Sequence, residues 1–418
     1  MRIFFSVGEP SGDLHGSNLI RRLKSEQPNV ECVGFGGPKM ADAGCDLHFD
    51  LTSLAVMFLG EALKNLRLFF RLIADAKTYF EQNQVDAVVL IDYPGFNWWI
   101  ARKAKKNGIP VFYYGIPQVW AWAPWRVRKI RRLVDHVLCK LRFEVDWFAE
   151  RKCHATYVGH PYFDQLKQQV YDEDFIAKFS KDGAKLLTLL PGSRDQEVKN
   201  VLPILLSAVR QAADKAQCRV AIACFNERQK AMAVEMVEQS QLPVEVYVGK
   251  TPELMRAASV CIACSGSVSL ELLHHRIPTV IVYKVKRWVM VAQSLLLRTK
   301  FITLVNLIAT KDIKKRTWAP YNPDVVNADP AVMPEYLTTG DPSENVAARV
   351  VDWLNNDQLY SAKVAEMDLL AKKYAHAGAT ERAADYILEQ LLAAQSVTNV
   401  DSTDRDSVAA GSKERSAA

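Results

Sequence analysis

The residues best placed for chemistry in this sequence stand at sharp turns directly after short apolar runs. Ser265-Gly266-Ser267 follows the run Val260–Ala263, and Glu271 comes shortly afterwards, inside a helical spacing from Val268 to His275 that Ile277-Pro278 stops. Small residues at a strand-to-helix turn let backbone N–H groups approach an anion, and the positive end of the helix favours negative charge there. A carboxylate in the first turn would repel a phosphate but suits the two hydroxyls of a ribose. The stretch reads as a nucleotide diphosphate site, with amides for phosphate and Glu271 for ribose. A helix cap followed by a solvated glutamate reads the same residues equally well.

A second turn has matching chemistry. Pro191-Gly192-Ser193-Arg194 follows the apolar run 185–190, and the forked donors of Arg194 suit a phosphate. Runs at 220–224, 244–248 and 260–263 continue a series of parallel strands, so the two turns should share one edge of one sheet. In the first half, Glu9 sits where the strand 3–7 ends, and Ser11 or Asp13 can cap a helix running to about residue 25. Gly8, Gly12 and Gly16 do not match G-x-G-x-x-G, which disfavours a nicotinamide or flavin cofactor. Asp92 closes the buried run 85–91 ahead of Tyr93-Pro94-Gly95, placed either as a general base on a hydroxyl or as the cap of a helix starting near Phe96. Asn306 is the lone amide in the apolar run 301–309 and is either a buried structural amide or a substrate contact.

These turns need parallel sheets to position them. Strand and helix patterns alternate, which predicts an α/β fold of two Rossmann-like parallel-sheet domains covered on both faces. The expected boundaries are 1–165 and 185–345 for the domains, 166–184 for a linker, 346–395 for C-terminal helices, and 396–418 for a disordered tail of Ser, Asp, Ala and Arg. With 418 residues, 49% of them hydrophobic, there is material for two full cores. The net charge of +6 is modest and no nucleic-acid module accompanies it. Eight cysteines are scattered, and Cys261 and Cys264 fall on opposite faces of one strand, so they read as core in a reducing cytoplasm. No signal peptide or bilayer-length apolar run is expected.

Three segments mix apolar and basic residues. Around 54–73, Met57, Phe58, Leu59, Leu66, Phe69 and Phe70 are interleaved with Lys64, Arg67 and Arg71, the composition of a helix at an anionic bilayer surface or of a core-facing helix with snorkelling cations. Trp120, Trp122 and Trp125 precede five cations between Arg126 and Arg132, a pattern for phosphate or lipid headgroups or for a solvated face. The segment 284–300 is a second candidate for lipid contact.

Assembled in order, residues 8–13, 115–122 (GIPQVWAW), 158–161, 190–198 (LPGSRDQEV), 265–272 (SGSVSLEL) and 305–309 (VNLIA) resemble the motifs of the lipid-A-disaccharide synthase family, to about residue 337. The resemblance implies a GT-B glycosyltransferase whose two domains face across a cleft and which needs no metal or other cofactor. It implies transfer of a sugar from UDP-2,3-diacylglucosamine to 2,3-diacylglucosamine 1-phosphate (lipid X). It further implies peripheral attachment to the cytoplasmic face of the inner membrane, in outer-membrane-building bacteria, and dimers with exchanged C-terminal parts. By the same resemblance, Asp92 is the base for the acceptor 6-hydroxyl. Arg194, Ser193 and the Ser265-Gly266-Ser267 amides stabilise the diphosphate, Glu271 holds the ribose, Asn306 contacts the donor or the diphosphate, and Glu9, Ser11 and His160 line the facing side. Because both implied substrates are acylated, it favours membrane contact for 54–73. Val305 replaces a proline of the family, 311–331 looks inserted, and 57–61 matches only approximately. A UDP-N-acetylglucosamine epimerase or a peptidoglycan-type N-acetylglucosaminyltransferase, and a non-catalytic nucleotide-sensing or membrane-adaptor protein, are the competing readings.

Overall fold

The structure, a computed structural model, describes residues 1–54, 66–180, 183–314 and 319–414. It contains two compact units, the first made of residues 1–119, 125–161 and 378–418, the second of 120–124 and 162–377.

In the first unit, β1 (Arg2–Val7), β2 (Glu31–Gly36), β3 (Asp46–Asp50), β4 (Ala87–Ile91), β5 (Val111–Tyr114), β6 (His136–Cys139) and β7 (Ala155–Tyr157) form one parallel sheet in the order β3-β2-β1-β4-β5-β6-β7. Side chains alternate across it, as the two-residue period of a strand requires. Phe4, Val88, Leu90 and Tyr113 pack on one face with Phe96 and Ile100 of the helix Pro94–Lys106. Ile3, Phe5, Val7, Val89 and Ile91 pack on the other with Leu19 and Leu23 of the helix Pro10–Glu26. Both faces are covered, which is why these strands read as unbroken apolar runs. Each fully buried Ile or Phe contributes about 1.5–3 kcal/mol.

In the second unit, β8 (Leu186–Leu190), β9 (Arg219–Cys224), β10 (Val244–Val248), β11 (Val260–Ala263), β12 (Thr279–Lys284) and β13 (Glu335–Thr338) pair in parallel in the order β10-β9-β8-β11-β12-β13. Leu187 and Leu189 pack with Val198, Leu202 and Leu205 of the helix Asp195–Ala213. Cys261 and Cys264 are both buried and unbridged.

The partition of the chain differs from the sequence expectation in three places. The charged stretch 166–184 is not a linker, because it carries the end of the helix Tyr162–Gln168 and all of the helix Glu173–Ser180 of the second unit, the latter burying Phe175 and Phe179 against Tyr247. The C-terminal helices do not stay together. Ser343–Asn355 and Asp357–Tyr374 belong to the second unit, whereas Ala379–Glu414 returns to the first and buries Ala383, Ile387 and Leu391 on its sheet. That last helix also continues through the expected disordered tail to Glu414, in a stretch with no proline to stop it.

Asn306 is structural in this fold. It is buried, its Nδ2 donates to Met333 O (2.7 Å) and Glu335 Oε2 (3.0 Å), and its Oδ1 accepts from Met333 N (2.9 Å). Glu335 also accepts from the amides of Ile302 (2.7 Å) and Thr303 (3.0 Å), so one buried carboxylate ties β13 to the segment before the helix Leu304–Ala309. Burial raises the Glu335 pKa against these three hydrogen bonds. Both Nδ2 protons of Asn306 are thus used inside the fold, the buried-amide alternative of its sequence reading. Asn306→Ala strands Glu335 and the Met333 backbone, and we expect a loss of about 1–3 kcal/mol in stability, measured by urea unfolding.

Candidate functional site

In both sheets the strand order reverses direction once, between β1 and β4 and between β8 and β11. The connections on either side of such a point leave on opposite faces and open a crevice at the carboxyl ends of the strands. The expected residues fall at these two points. Glu9 and Ser11 follow β1 and Asp92 follows β4, while Ser193 and Arg194 follow β8 and Ser265-Gly266-Ser267 follows β11.

In the second unit six of them line one cavity of about 400 Å3: Ser193, Arg194, Ser265, Gly266, Ser267 and Glu271. The two turns are held side by side by the β8–β11 pairing, which Cys264 N extends by donating to Leu190 O (2.7 Å). Gly192 takes a left-handed φ of +123°, and a Cβ there would lie 2.6 Å from the Glu197 side chain, so this turn needs glycine. Glu197 is committed inside the turn, where its Oε2 accepts from Ser193 N (3.0 Å) and Arg194 N (3.1 Å) and its Oε1 from the Arg194 guanidinium (3.0 Å). With those amides occupied, the exposed guanidinium of Arg194 and the backbone of 265–267 are the groups that face an incoming anion. Among the described residues nothing stands within 4 Å of where a Gly266 side chain would be, so a ligand can approach that backbone closely.

Glu271 is buried in the first turn of the helix Val268–His275. The Tyr162 hydroxyl donates to its Oε2 at 2.6 Å, and its Oε1 has no partner among the described residues. Burial pushes the Glu271 pKa up, and the Tyr162 hydrogen bond works against that shift. An aimed, half-satisfied carboxylate is an acceptor for a ligand hydroxyl. Phe225, at the end of β9, presents an exposed aromatic ring to the same cavity. Gln229 is fully buried and fastens the turn by donating to Ser193 O (2.8 Å). Sequence reasoning missed Tyr162, Glu197, Phe225 and Gln229; the acid following Arg194 in the helix start was the only signal for any of them.

In the first unit, Asp92 and Tyr93 both adopt left-handed backbone, with φ of 46° and 42°. Such conformations cost about 1–3 kcal/mol each in non-glycine residues and need surroundings that hold them. Asn97, buried one helical turn later, donates to the carbonyls of Asp92 (2.8 Å) and Ser6 (3.1 Å) and accepts from Ser6 Oγ (2.7 Å), and Tyr113 Oη donates to Asp92 O (2.6 Å). The Asp92 carboxylate is thereby aimed out of the turn, 3.3 Å from Lys140 Nζ. A Cβ on Gly115 or on Gly12 would come within 3.0 or 3.9 Å of its oxygens. His160 lies in the same neighbourhood: burial, with Lys140 and His15 adding positive charge, holds its pKa well below the usual histidine value, so the ring is neutral. Glu9 and Ser11 are exposed at the mouth of the β1 turn. Asp13 is no cap for its own helix, which starts at Pro10; it accepts instead from the amides of Gly37 (3.0 Å), Lys39 (3.1 Å) and Met40 (3.0 Å) at the next turn.

Of the apolar surface residues, Met57, Phe58 and Leu59 lie outside the described residues. On the helix Leu66–Gln82, Leu66 and Phe70 point into solvent, while Phe69 packs on Phe96 (5.5 Å between ring centres) and is only half-exposed. No helix among the described residues is long and apolar enough to cross a membrane.

Solved structures with similar folds include a UDP-GlcNAc 2-epimerase from Neisseria meningitidis bound to UDP-GlcNAc (TM-score 0.57, 11% identity, 94% of this chain and 100% of the other) and a glycosyltransferase of kitacinnamycin (TM-score 0.56, 15% identity, 93% and 98%). At these identities they establish the two-domain GT-B fold. Among curated proteins, the lipid-A-disaccharide synthase of Geobacter sulfurreducens is 30% identical over 93% of this chain and 97% of its own length. That of Coxiella burnetii is 33% identical over 74% and 82%. A family model described as lipid-A-disaccharide synthetase matches residues 3–319. The chain therefore belongs to the lipid-A-disaccharide synthase family of glycosyltransferases.

Proposed function

We propose that this enzyme transfers 2,3-diacylglucosamine from UDP-2,3-diacylglucosamine to the 6-hydroxyl of 2,3-diacylglucosamine 1-phosphate, with inversion, giving the β-1,6-linked disaccharide 1-phosphate and UDP. The observation that carries this reading is the cavity in which an arginine, a small-residue turn and a half-satisfied buried carboxylate converge. Its chemistry suits UDP: Arg194 and the 265–267 backbone for the diphosphate, Glu271 Oε1 for a ribose hydroxyl, and Phe225 as a stacking surface for uracil. The names of the relatives support the acylated substrates, and the UDP-GlcNAc in the epimerase structure supports a UDP-sugar donor.

In the transfer step the acceptor oxygen attacks the anomeric carbon and its proton passes to Asp92. The bond from that carbon to the diphosphate oxygen breaks, and the electron pair leaves with UDP. Lys140 Nζ, 3.3 Å from the Asp92 carboxylate, lies against the same oxygen that would take the proton. Negative charge growing on the leaving diphosphate is met by Arg194 and the turn amides. Glu9, Ser11 and His160 are assigned to the acceptor side; the neutral ring of His160 can exchange hydrogen bonds with a sugar hydroxyl without adding charge. Leu66 and Phe70, with the stretch from Met57 to Leu59 before them, would contact the cytoplasmic face of the inner membrane, from which both lipid substrates are drawn. Dimers with exchanged C-terminal parts belong to the same reading.

The first test is a mixed-micelle assay with UDP-2,3-diacylglucosamine, with and without lipid X. Acceptor-dependent UDP release, one disaccharide per UDP, is expected. Release without acceptor would instead indicate a hydrolase or an epimerase-like activity, and UDP binding without turnover an adaptor. In the same assay Asp92→Asn should lower kcat about 10²–10⁴-fold while UDP binding, followed by calorimetry, is unchanged; near-full activity would remove Asp92 as the base. UDP affinity should fall on acidification, because the protonated Glu271 no longer accepts at Oε1, and with its pKa raised the fall begins above the usual carboxylate range. Tyr162→Phe removes the one hydrogen bond that lowers that pKa, so its affinity should begin to fall at a higher pH than that of the unmodified enzyme.

A further inference from the structure

The helix Arg287–Leu296 of the second unit is inside out. None of its residues is buried. Toward its own unit it turns Met290, Gln293 and Ser294, which line a small cavity with Ile302 and Glu335. Away from it, Trp288, Val291 and Leu295 share one helical face by their spacing and are 70%, 60% and 53% exposed. A helix stabilised by its own domain packs such a stripe inward and leaves its amides out. The helix is not free to turn over. Val285 N donates to Thr338 O (2.9 Å) before it, and Lys300 N donates to Ile313 O (3.1 Å) after it, with Lys300 Nζ paired to Asp329 (3.1 Å).

Charge selects what covers this stripe. No acidic residue occurs between Lys284 and Lys311, and exposed Lys286 and Arg287 at one end and Arg298 at the other bracket the apolar face. An apolar stripe framed by cations, with a tryptophan at its edge, matches the interface of an anionic bilayer, where acyl chains receive the stripe and phosphate headgroups the cations. We propose that Arg287–Leu296 is an interfacial anchor that lies in the headgroup layer of an anionic membrane and holds the second unit there. It is separate from the contact proposed at Leu66 and Phe70, and it rests on the proposed function only for which membrane is met.

The test uses the full chain with Val291→Cys labelled by an environment-sensitive fluorophore. Seven of the eight natural cysteines are buried and Cys218 is half-buried, so the label goes to the new site. With vesicles containing phosphatidylglycerol, a blue shift and quenching by nitroxide-bearing lipid are expected, both weakened when Arg287→Glu and Arg298→Glu are added. Trp288→Ser, Val291→Ser and Leu295→Ser together should lower the vesicle partition coefficient at least about ten-fold. Turnover of that variant in detergent micelles should be retained. An unchanged spectrum with anionic vesicles overturns the proposal. An equal response to phosphatidylcholine alone removes the anionic preference on which it stands. A shift that follows protein concentration without lipid means that a second copy covers the stripe, and it overturns the proposal too. Absence of turnover in the unmodified enzyme would strike the proposed function and leave the anchor standing.

Discussion

The handedness of parallel crossovers governs what this protein can do. A strand, helix and next parallel strand wind right-handed, so reversing the direction in which strands are added puts successive helices on opposite faces of the sheet. In the first unit the helix after β1 packs on the Ile3, Phe5 and Val7 face and the helix after β4 on the Phe4, Val88 and Leu90 face. At that point the two turns splay apart and leave a crevice at the carboxyl ends of the strands. The second unit repeats the arrangement at β8 and β11. Every candidate polar group of the two turn pairs owes its exposure to this one reversal.

What fills each reversal differs in electrical character. The second unit offers an arginine and open amides, with one buried carboxylate held back by Tyr162, a setting for a molecule with an anionic end and a neutral polyol. The first offers Asp92, Glu9, a neutral His160 and a single balancing lysine, a setting for moving protons. The latter is built on left-handed backbone. Two consecutive left-handed residues are stabilised by Asn97 and Tyr113, whose hydrogen bonds would otherwise have to be found in a dry interior. Rigid aim of the carboxylate is what that arrangement gains.

Much of the site was legible in the residues because its signals are local. The strand Val260–Ala263, the turn after it and the helix Val268–His275 follow from apolar periodicity and small residues, and they stand where the spacing placed them. The same holds for Asp92 at the end of β4 and for Arg194 at the end of β8. Adjacency of the two phosphate-type turns was also legible, since it needs only a shared parallel sheet. Charge composition misled at 166–184, where a helix hides two phenylalanines among acids and lysines, and in the last helix, whose destination no local pattern records.

The sequence alone therefore determined the fold class, the family and the identity of the groups at each turn, because strand and helix periods and cap chemistry act over a few residues. Tertiary structure decided which of those groups face a ligand. Asn97 meets Ser6 across 91 positions, Tyr162 meets Glu271 across 109, and Lys140 meets Asp92 across 48. Asn306 read equally as a buried amide or as a substrate contact, and its bonds to Met333 and Glu335 appear only in the folded chain. Whether a polar side chain is spent inside the fold or left for a substrate depends on partners brought close only by packing, and a linear pattern carries no record of them.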